Sequence, residues 1–412
     1  MATFQTLLVV AGLLLQADEG PSLKGAVQDT SGVPLTGARI DIATAAPRKG
    51  RGLFCPSCYL DCVKHARTDA NGRFQIAELD PTLKFRVLVS MVGYRAHLTP
   101  LIDPLTGPIA VTLQTRPTDM PPERTVRGVI VDDRGIQLEG ALVSPSGART
   151  RDKRWWGTVN GVDPTVTDTE GRFAMLLPAE LEAIDVEVAA DGHSGATLEL
   201  LVPGQIDHRI EVPVGARVTG LLVHQGQPLP GNRVAVVQLL RDAGRHFIKA
   251  VAATTDAQGR FEFDYLPPEE PYVIFSLVGE GPQSTVITTK RFKVSRSGQQ
   301  RDLGALETIP SLRLRGRVTL PENEKIPTNT RVVLGREPAW DLIASPVAED
   351  GSFEVAGLPP ETYVIRLDDN ALELDPSRLQ YQQLERNSFG LRLRTSLEEL
   401  VIPARVTSKV TE

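Results

Sequence analysis

The chain has 412 residues, with 51 acidic against 45 basic side chains and few aromatics (3 Trp, 6 Tyr, 12 Phe). A hydrophobic share of 41% is enough for several buried cores and excludes wholesale disorder. The net charge of −6 comes without a basic block, which argues against a nucleic-acid binder. No apolar run reaches the ~18 residues of a membrane-spanning helix, and length alone suggests about three domains.

The first element in the chain is Leu7–Leu15 (LLVVAGLLL), followed by Gln16-Ala17 and the polar Asp18-Glu19-Gly20. That is the length of a signal-peptide core, with a small residue at the cleavage point. Residues 1–17 are therefore expected to be a signal peptide and the protein to be exported: extracellular, on the cell surface or periplasmic. Met1–Thr6 carries no Lys or Arg, which departs from the usual pattern. If uncleaved, the leader would act as an N-terminal membrane tether. The three cysteines, Cys55, Cys58 and Cys62, lie close together, and such clustering suits an oxidising compartment.

Beyond the leader one pattern recurs. Thr68-Asp69-Ala70-Asn71-Gly72-Arg73-Phe74 returns as Thr167–Phe173 and Thr255–Phe261, and in degenerate form as Ala348–Phe353. The glycines of these copies, Gly72, Gly171, Gly259 and Gly351, are 99, 88 and 92 residues apart. A glycine marker precedes each copy, at Gly25, Gly128, Gly220 and Gly316, and another follows the first three, at Gly93, Gly192 and Gly279. Three markers in fixed order define an internal repeat.

Within a repeat the reading is strand, turn, strand. Ile184, Val186 and Val188 alternate with Asp185, Glu187 and Ala189, and Phe85, Val87 and Val89 recur at the same spacing in the first copy. That is the period of a strand with one buried face. In Thr-Asp-x-x-Gly-Arg-Phe the Asp can bond the turn backbone, the Gly takes the positive-φ position closing a hairpin, and the Phe enters the core. Helical periodicity is expected only in residues 377–399, with a short helix from Arg378 to Arg386. Short strands with regular turn signals imply β-sandwiches. Expected domains are residues 18–115, 123–212, 214–307 and a degenerate 311–412, the first two separated by the stiff linker Arg116–Pro122.

The order Gly-x-Val, Asp-x-x-Gly-x-Pro-Leu-x-Gly-Ala, Thr-Asp-x-x-Gly-Arg-Phe and Leu-x-Pro resembles the carboxypeptidase regulatory-like domain. Gly25-Ala26-Val27, Asp29–Ala38, Thr68–Phe74 and Leu79-Asp80-Pro81 carry it in the first copy. Gly128–Ala141 and Gly220–Gly231 carry it in the next two, and Gly357-Leu358-Pro359-Pro360 in the fourth. The resemblance implies an all-β chain, a tandem array of four Ig-like or prealbumin-like β-sandwich domains of seven strands each. Such modules are common in secreted and cell-surface bacterial proteins and accompany many activities, so little about activity follows.

Candidate chemistry is sparse. Cys55-Pro56-Ser57-Cys58 has the spacing of a thiol oxidoreductase, but that motif works at a helix N-terminus, not between sandwich strands. Cys55, Cys58, Cys62 and His65 supply four zinc-ligand types, yet so short a span leaves little loop to wrap an ion. The favoured expectation is one disulfide, Cys58 to Cys62, with no metal and no cofactor. His208-Arg209-Ile210-Glu211 has the H-x-x-E spacing of a metallocarboxypeptidase zinc pair, but on a strand positions i and i+3 face opposite sides. The acidic turns at Asp29–Gly32 and Asp132–Gly135 read as turn chemistry and not as calcium loops.

The strongest candidate surface is an insertion in the second repeat, Ser146–Thr165, where Arg149, Arg151, Lys153 and Arg154 lead into Trp155-Trp156-Gly157. Trp and Arg dominate binding hot spots, and aromatic faces stack on sugar rings. On a strand only one tryptophan of the pair can face a core. Trp155, Trp156 and Arg154 are thus the candidate ligand-binding residues. The first repeat has an insertion at the equivalent place, Ala45–Ala66, again with basic residues (Arg48, Lys49, Arg51). Together these features predict a non-enzymatic, secreted or surface-associated binding or spacer protein, monomeric, with an extracellular protein or glycan as partner. The alternatives are a carbohydrate-binding protein using Trp155 or Trp156, and a thiol oxidoreductase built on Cys55 and Cys58.

Overall fold

The structure is a computed structural model describing residues 20–49, 60–204, 207–239, 245–248, 252–279, 283–287, 290–322, 324–336 and 342–407. The expected signal peptide, Cys55 and Cys58 lie outside the described residues. The chain divides into two compact units that meet between Asp119 and Met120, inside the proline-rich linker.

The first unit is a sandwich with seven strands among its described residues: β1 (Leu23–Asp29), β2 (Arg39–Pro47), β3 (His65–Arg67), β4 (Arg73–Ile76), β5 (Leu83–Ser90), β6 (His97–Leu98) and β7 (Ile109–Leu113). One sheet runs β4-β1-β7, with β7 parallel to β1, and the other runs β3-β2-β5-β6. Alternation places Leu83, Phe85, Val87 and Val89 of β5 inward, against Leu23, Val27, Ile40 and Val111. Burial of these side chains between the two sheets is the main stabilising term.

In the second unit the plan recurs. Its first part comprises β8 (Thr125–Val131), β9 (Leu142–Arg149), β10 (Arg154–Trp156), β11 (Thr165–Val166), β12 (Arg172–Leu176), β13 (Ala183–Ala189), β14 (Gly195–Leu201) and β15 (Asp207–Glu211). The sheets are β12-β8-β15 and β10-β9-β13-β14, with β11 also on β9. Further on, Ala216–His224 pairs antiparallel with Arg260–Leu266 and parallel with Gln300–Pro310. Leu312–Thr319 does the same with Ser352–Leu358 and Leu397–Val406. Each of these three stretches encloses its own hydrophobic cluster. The fold is all-β: among the described residues helix is confined to three short 3₁₀ turns, and none is long and apolar enough to cross a membrane.

The repeat markers have one shared physical cause. In register, Gly25 sits opposite Phe74, Gly128 opposite Phe173, Gly220 opposite Phe261 and Gly316 opposite Phe353. The phenyl ring covers the glycine closely, so that a Cβ on Gly25 would come 2.7 Å from both the Phe74 ring and the Ile109 carbonyl oxygen. The first marker and the aromatic of the second are thus the two halves of one cross-strand contact.

The Thr-Asp-x-x-Gly turn is not a hairpin, as the spacing had suggested. β3 belongs to one sheet and β4 to the other, so the turn hands the chain across the sandwich. Asp69 Oδ1 accepts from the backbone N–H of Asn71 and Arg73, both at 2.8 Å, and Gly72 adopts φ +70°. Thr68, buried, pins the crossover: its hydroxyl accepts from Ala38 N–H at 2.8 Å and donates to the Leu35 carbonyl. In the fourth copy Val347 and Ala348 stand in place of this Thr-Asp pair, yet Ala348 N–H still bonds the Ser352 carbonyl.

A second expectation is corrected near the C-terminus. Instead of a helix, residues 375–378 form a turn, and Gln383–Glu385 pairs with Ser388–Arg392. Tyr381 stacks on the buried Phe389 at 5.2 Å, and Leu379 and Tyr381 pack on the last cluster. Tertiary packing therefore overrides the weak helical propensity of this glutamine-rich stretch.

Candidate functional site

The Trp insertion folds back on its own sheet. After Arg149 the chain turns at Thr150–Lys153, where Thr150 N–H donates to the Lys153 carbonyl at 2.9 Å, and β10 then runs back along β9. Trp155 lies opposite Ala148 and Trp156 opposite Gly147, so successive side chains face opposite sides of the sheet.

Trp155 turns inward. It is half-buried on the hydrophobic cluster of this repeat, and its indole Nε1 donates to the Thr158 carbonyl at 3.2 Å. The Lys153 ammonium stands 5.1 Å from its ring centroid. Trp156 turns outward and is 67% exposed. The Arg154 guanidinium lies over its ring at 4.7 Å from the centroid, a cation–π contact.

Arg154 is itself held in place. Its Nη2 donates to Glu199 Oε2 at 2.7 Å and lies 3.3 Å from both oxygens of Asp185. The bond to Glu199 raises the Arg154 pKa; partial burial opposes this and Asp185 adds to it. Asp185 is 1% exposed, although strand alternation had placed it on the solvent side. The cause is a bulge in the pairing of β13 with β9 at Asp185 and Val186. Within that bulge Asp185 Oδ1 also accepts from Leu200 N–H at 2.8 Å. Gly147 makes room, since a Cβ there would lie 2.6 Å from Asp185 Oδ2.

Asp185, Glu199 and Gly147 are therefore site residues that the sequence pattern did not reveal. The chain brings Trp155, Trp156 and Arg154 onto one strand, but only Arg154 and Trp156 share a face. Beside Trp155, on the other face, the surface holds a depression of about 390 Å³ bordered by Thr150, Lys153, Asn160, Glu180 and Leu181.

The other candidates fall elsewhere. Cys62 sits half-buried against the first cluster. Neighbouring Asp61, also buried, accepts from Asp80 N–H at 2.8 Å and pairs with Lys64. His208 and Glu211 lie on β15, with His208 bonded to the Val202 carbonyl at 2.9 Å and Glu211 exposed. The carboxylates of Asp29 and Asp132 are used by their own turns, through Ser31 and Val33 in one and Arg134 and Ile136 in the other. Among the described residues no three His, Cys, Asp or Glu side chains group to hold a metal ion.

Solved structures that match include the Bacillus anthracis TIE protein, at 12% identity and TM-score 0.20, covering 90% of this chain and 69% of that one. A streptococcal ancillary pilin matches at 12% identity and TM-score 0.25, over 70% of this chain and 99% of its own. GBS52, the minor pilin of Streptococcus agalactiae, matches at 14% and 0.24, over 48% and 100%. No curated protein matches. The carboxypeptidase regulatory-like domain model matches residues 22–114, which span β1 to β7 from end to end.

Proposed function

We propose that this is a non-enzymatic binding or spacer protein, exported to the cell surface or beyond, with four sandwich modules at residues 18–115, 123–212, 214–307 and 311–412. The observation that carries the binding role is Trp156, an exposed indole on an edge strand, fixed on one face by an arginine that two carboxylates hold. An aromatic side chain locked before the partner arrives loses little conformational entropy on binding, which is the property of a hot-spot residue. The export reading rests on Leu7–Leu15 and the clustered cysteines.

A second reading narrows the ligand to a glycan. The depression beside Trp155 combines an indole wall with Thr150, Asn160, Glu180 and Lys153, the mix of one apolar face and several hydrogen-bonding groups that suits a sugar ring. Glycan-array and polysaccharide pull-down assays with Trp155→Ala and Trp156→Ala test both readings. Glycan retention that falls with Trp155→Ala supports the depression, and loss with Trp156→Ala alone supports the outer face. No retention of any glycan by the wild-type chain removes the carbohydrate reading and leaves a protein partner or a spacer.

A further inference from the structure

The sheet of the second repeat is extended by a strand from outside that repeat. The outer edge of β14 is occupied by a strand from the third repeat, His246–Phe247, which lies in the insertion between Arg233–Gln238 and Ala252–Thr254. Gly195 pairs with Phe247 and Ala196 with His246, while Thr197 N–H donates to the Arg245 carbonyl at 2.7 Å.

Side chains reinforce the pairing from both sides. The Phe247 ring covers Gly195 so closely that a Cβ there would lie 2.5 Å from ring carbons. The imidazole of His246 approaches the Glu211 carbonyl at 3.4 Å. Toward its own repeat the segment is anchored by Gln238, buried, whose side-chain amide donates to the His246 carbonyl at 2.8 Å and accepts from Ile248 N–H at 3.1 Å. Ile248 itself is buried in the core of the third repeat.

We propose that the edge of β14 is a strand-acceptor surface filled in cis by residues 245–248, and that this strand addition fuses the second and third repeats into one cooperative unit. An open sheet edge recruits any extended segment that matches it. Here the chain supplies its own, with an aromatic to cover the glycine and a buried glutamine to hold the segment straight. Opening either core would tear Ile248 or Phe247 from its seat, so the two repeats open together.

Hydrogen exchange of the full chain in rising urea tests this, read at the core amides of Val188 in the second repeat and Ile274 in the third. In the wild-type chain both amides converge on one opening reaction. In Gly195→Val, which expels the ring, and in Phe247→Ala, which removes it, the two openings separate and Thr197 N–H exchanges at least ~10-fold faster. Phe247→Leu, which restores an apolar cover, recovers part of the coupling. If Gly195→Val fails to fold, Phe247→Ala carries the test alone. Separate openings in the wild-type chain, or a common opening that survives Phe247→Ala, would overturn the proposal.

Discussion

The absence of one methyl group at Gly25 lets β1 and β4 close over the Phe74 ring. Gly25→Val is expected to cost about 3 kcal/mol, the upper range for overpacking, because the obstacle on its other side is the Ile109 backbone carbonyl, which cannot rotate away. Urea unfolding of the first unit measures it. Thr68→Val leaves the Ala38 N–H and Leu35 carbonyl without their hydroxyl partner and is expected to cost about 1–3 kcal/mol in the same assay. Both residues were visible as repeat markers. Their roles were not, because Gly25 and Phe74 are distant in sequence and meet only through sheet register. Turn carboxylates contribute to the acid response. A hydrogen bond from the Ser31 hydroxyl, followed by Val33 N–H, holds Asp29 below the ordinary carboxylate range. For Asp132 burial pushes upward, but the N–H of Ile136 and the Arg134 side chain outweigh it and the pKa is lowered. A carboxylate whose folded pKa is depressed contributes stability above its unfolded value of ~3.9 and loses it as pH falls through the folded value. The urea midpoint should therefore be flat above about pH 5 and fall below about pH 4, and Asp132→Asn should make that fall shallower.

At the scale of elements, β10 shows how an edge strand separates packing from presentation. Its two tryptophans are neighbours, yet truncation should affect different quantities. Trp155→Ala removes a half-buried ring from the cluster and is expected to destabilise by about 2–4 kcal/mol. Trp156→Ala, at a two-thirds exposed site, should change stability by less than ~0.5 kcal/mol. Asp185→Ala distinguishes support from contact. It strips Arg154 of its buried partner and leaves Leu200 N–H unpaired, so acrylamide quenching of Trp156 fluorescence should rise although the indole is untouched. Strand alternation allows only one tryptophan of the pair to face a core; which of the two does so shows only in the register of β10 on β9. Asp185 was not legible in the sequence, because a bulge breaks the alternation that made it look exposed. The stretch from Arg378 to Arg386 failed for a related reason: what orders it is the Tyr381–Phe389 stack, a contact between segments that no local pattern encodes.

At the scale of the whole molecule, repetition of sequence does not mean repetition of independence. Among the described residues, the strands of the first unit pair with one another, and its hydrophobic cluster is built from residues 23–113. Residues 20–119, expressed alone, are therefore expected to fold and to unfold in one cooperative transition by circular dichroism, as small domains of this size do. The second repeat carries the same markers and the same sheet order, but its β14 ends on a neighbour borrowed from residues 246–247. Cut out as residues 120–212, it would expose an unpaired edge with a glycine where Phe247 lay, and Ser194 would keep its bonds to Pro213 only if the cut fell later. Exposed flat edges pair with one another. The fragment is expected to self-associate, and a longer one ending after Pro310 to stay monomeric, by sedimentation at matched concentrations. Monomeric behaviour of the short fragment would mean that the edge tolerates solvent and that the borrowed strand adds rigidity without being needed for protection. The repeat spacing shows where each sandwich recurs; only the pairing of β14 shows which of them is complete by itself.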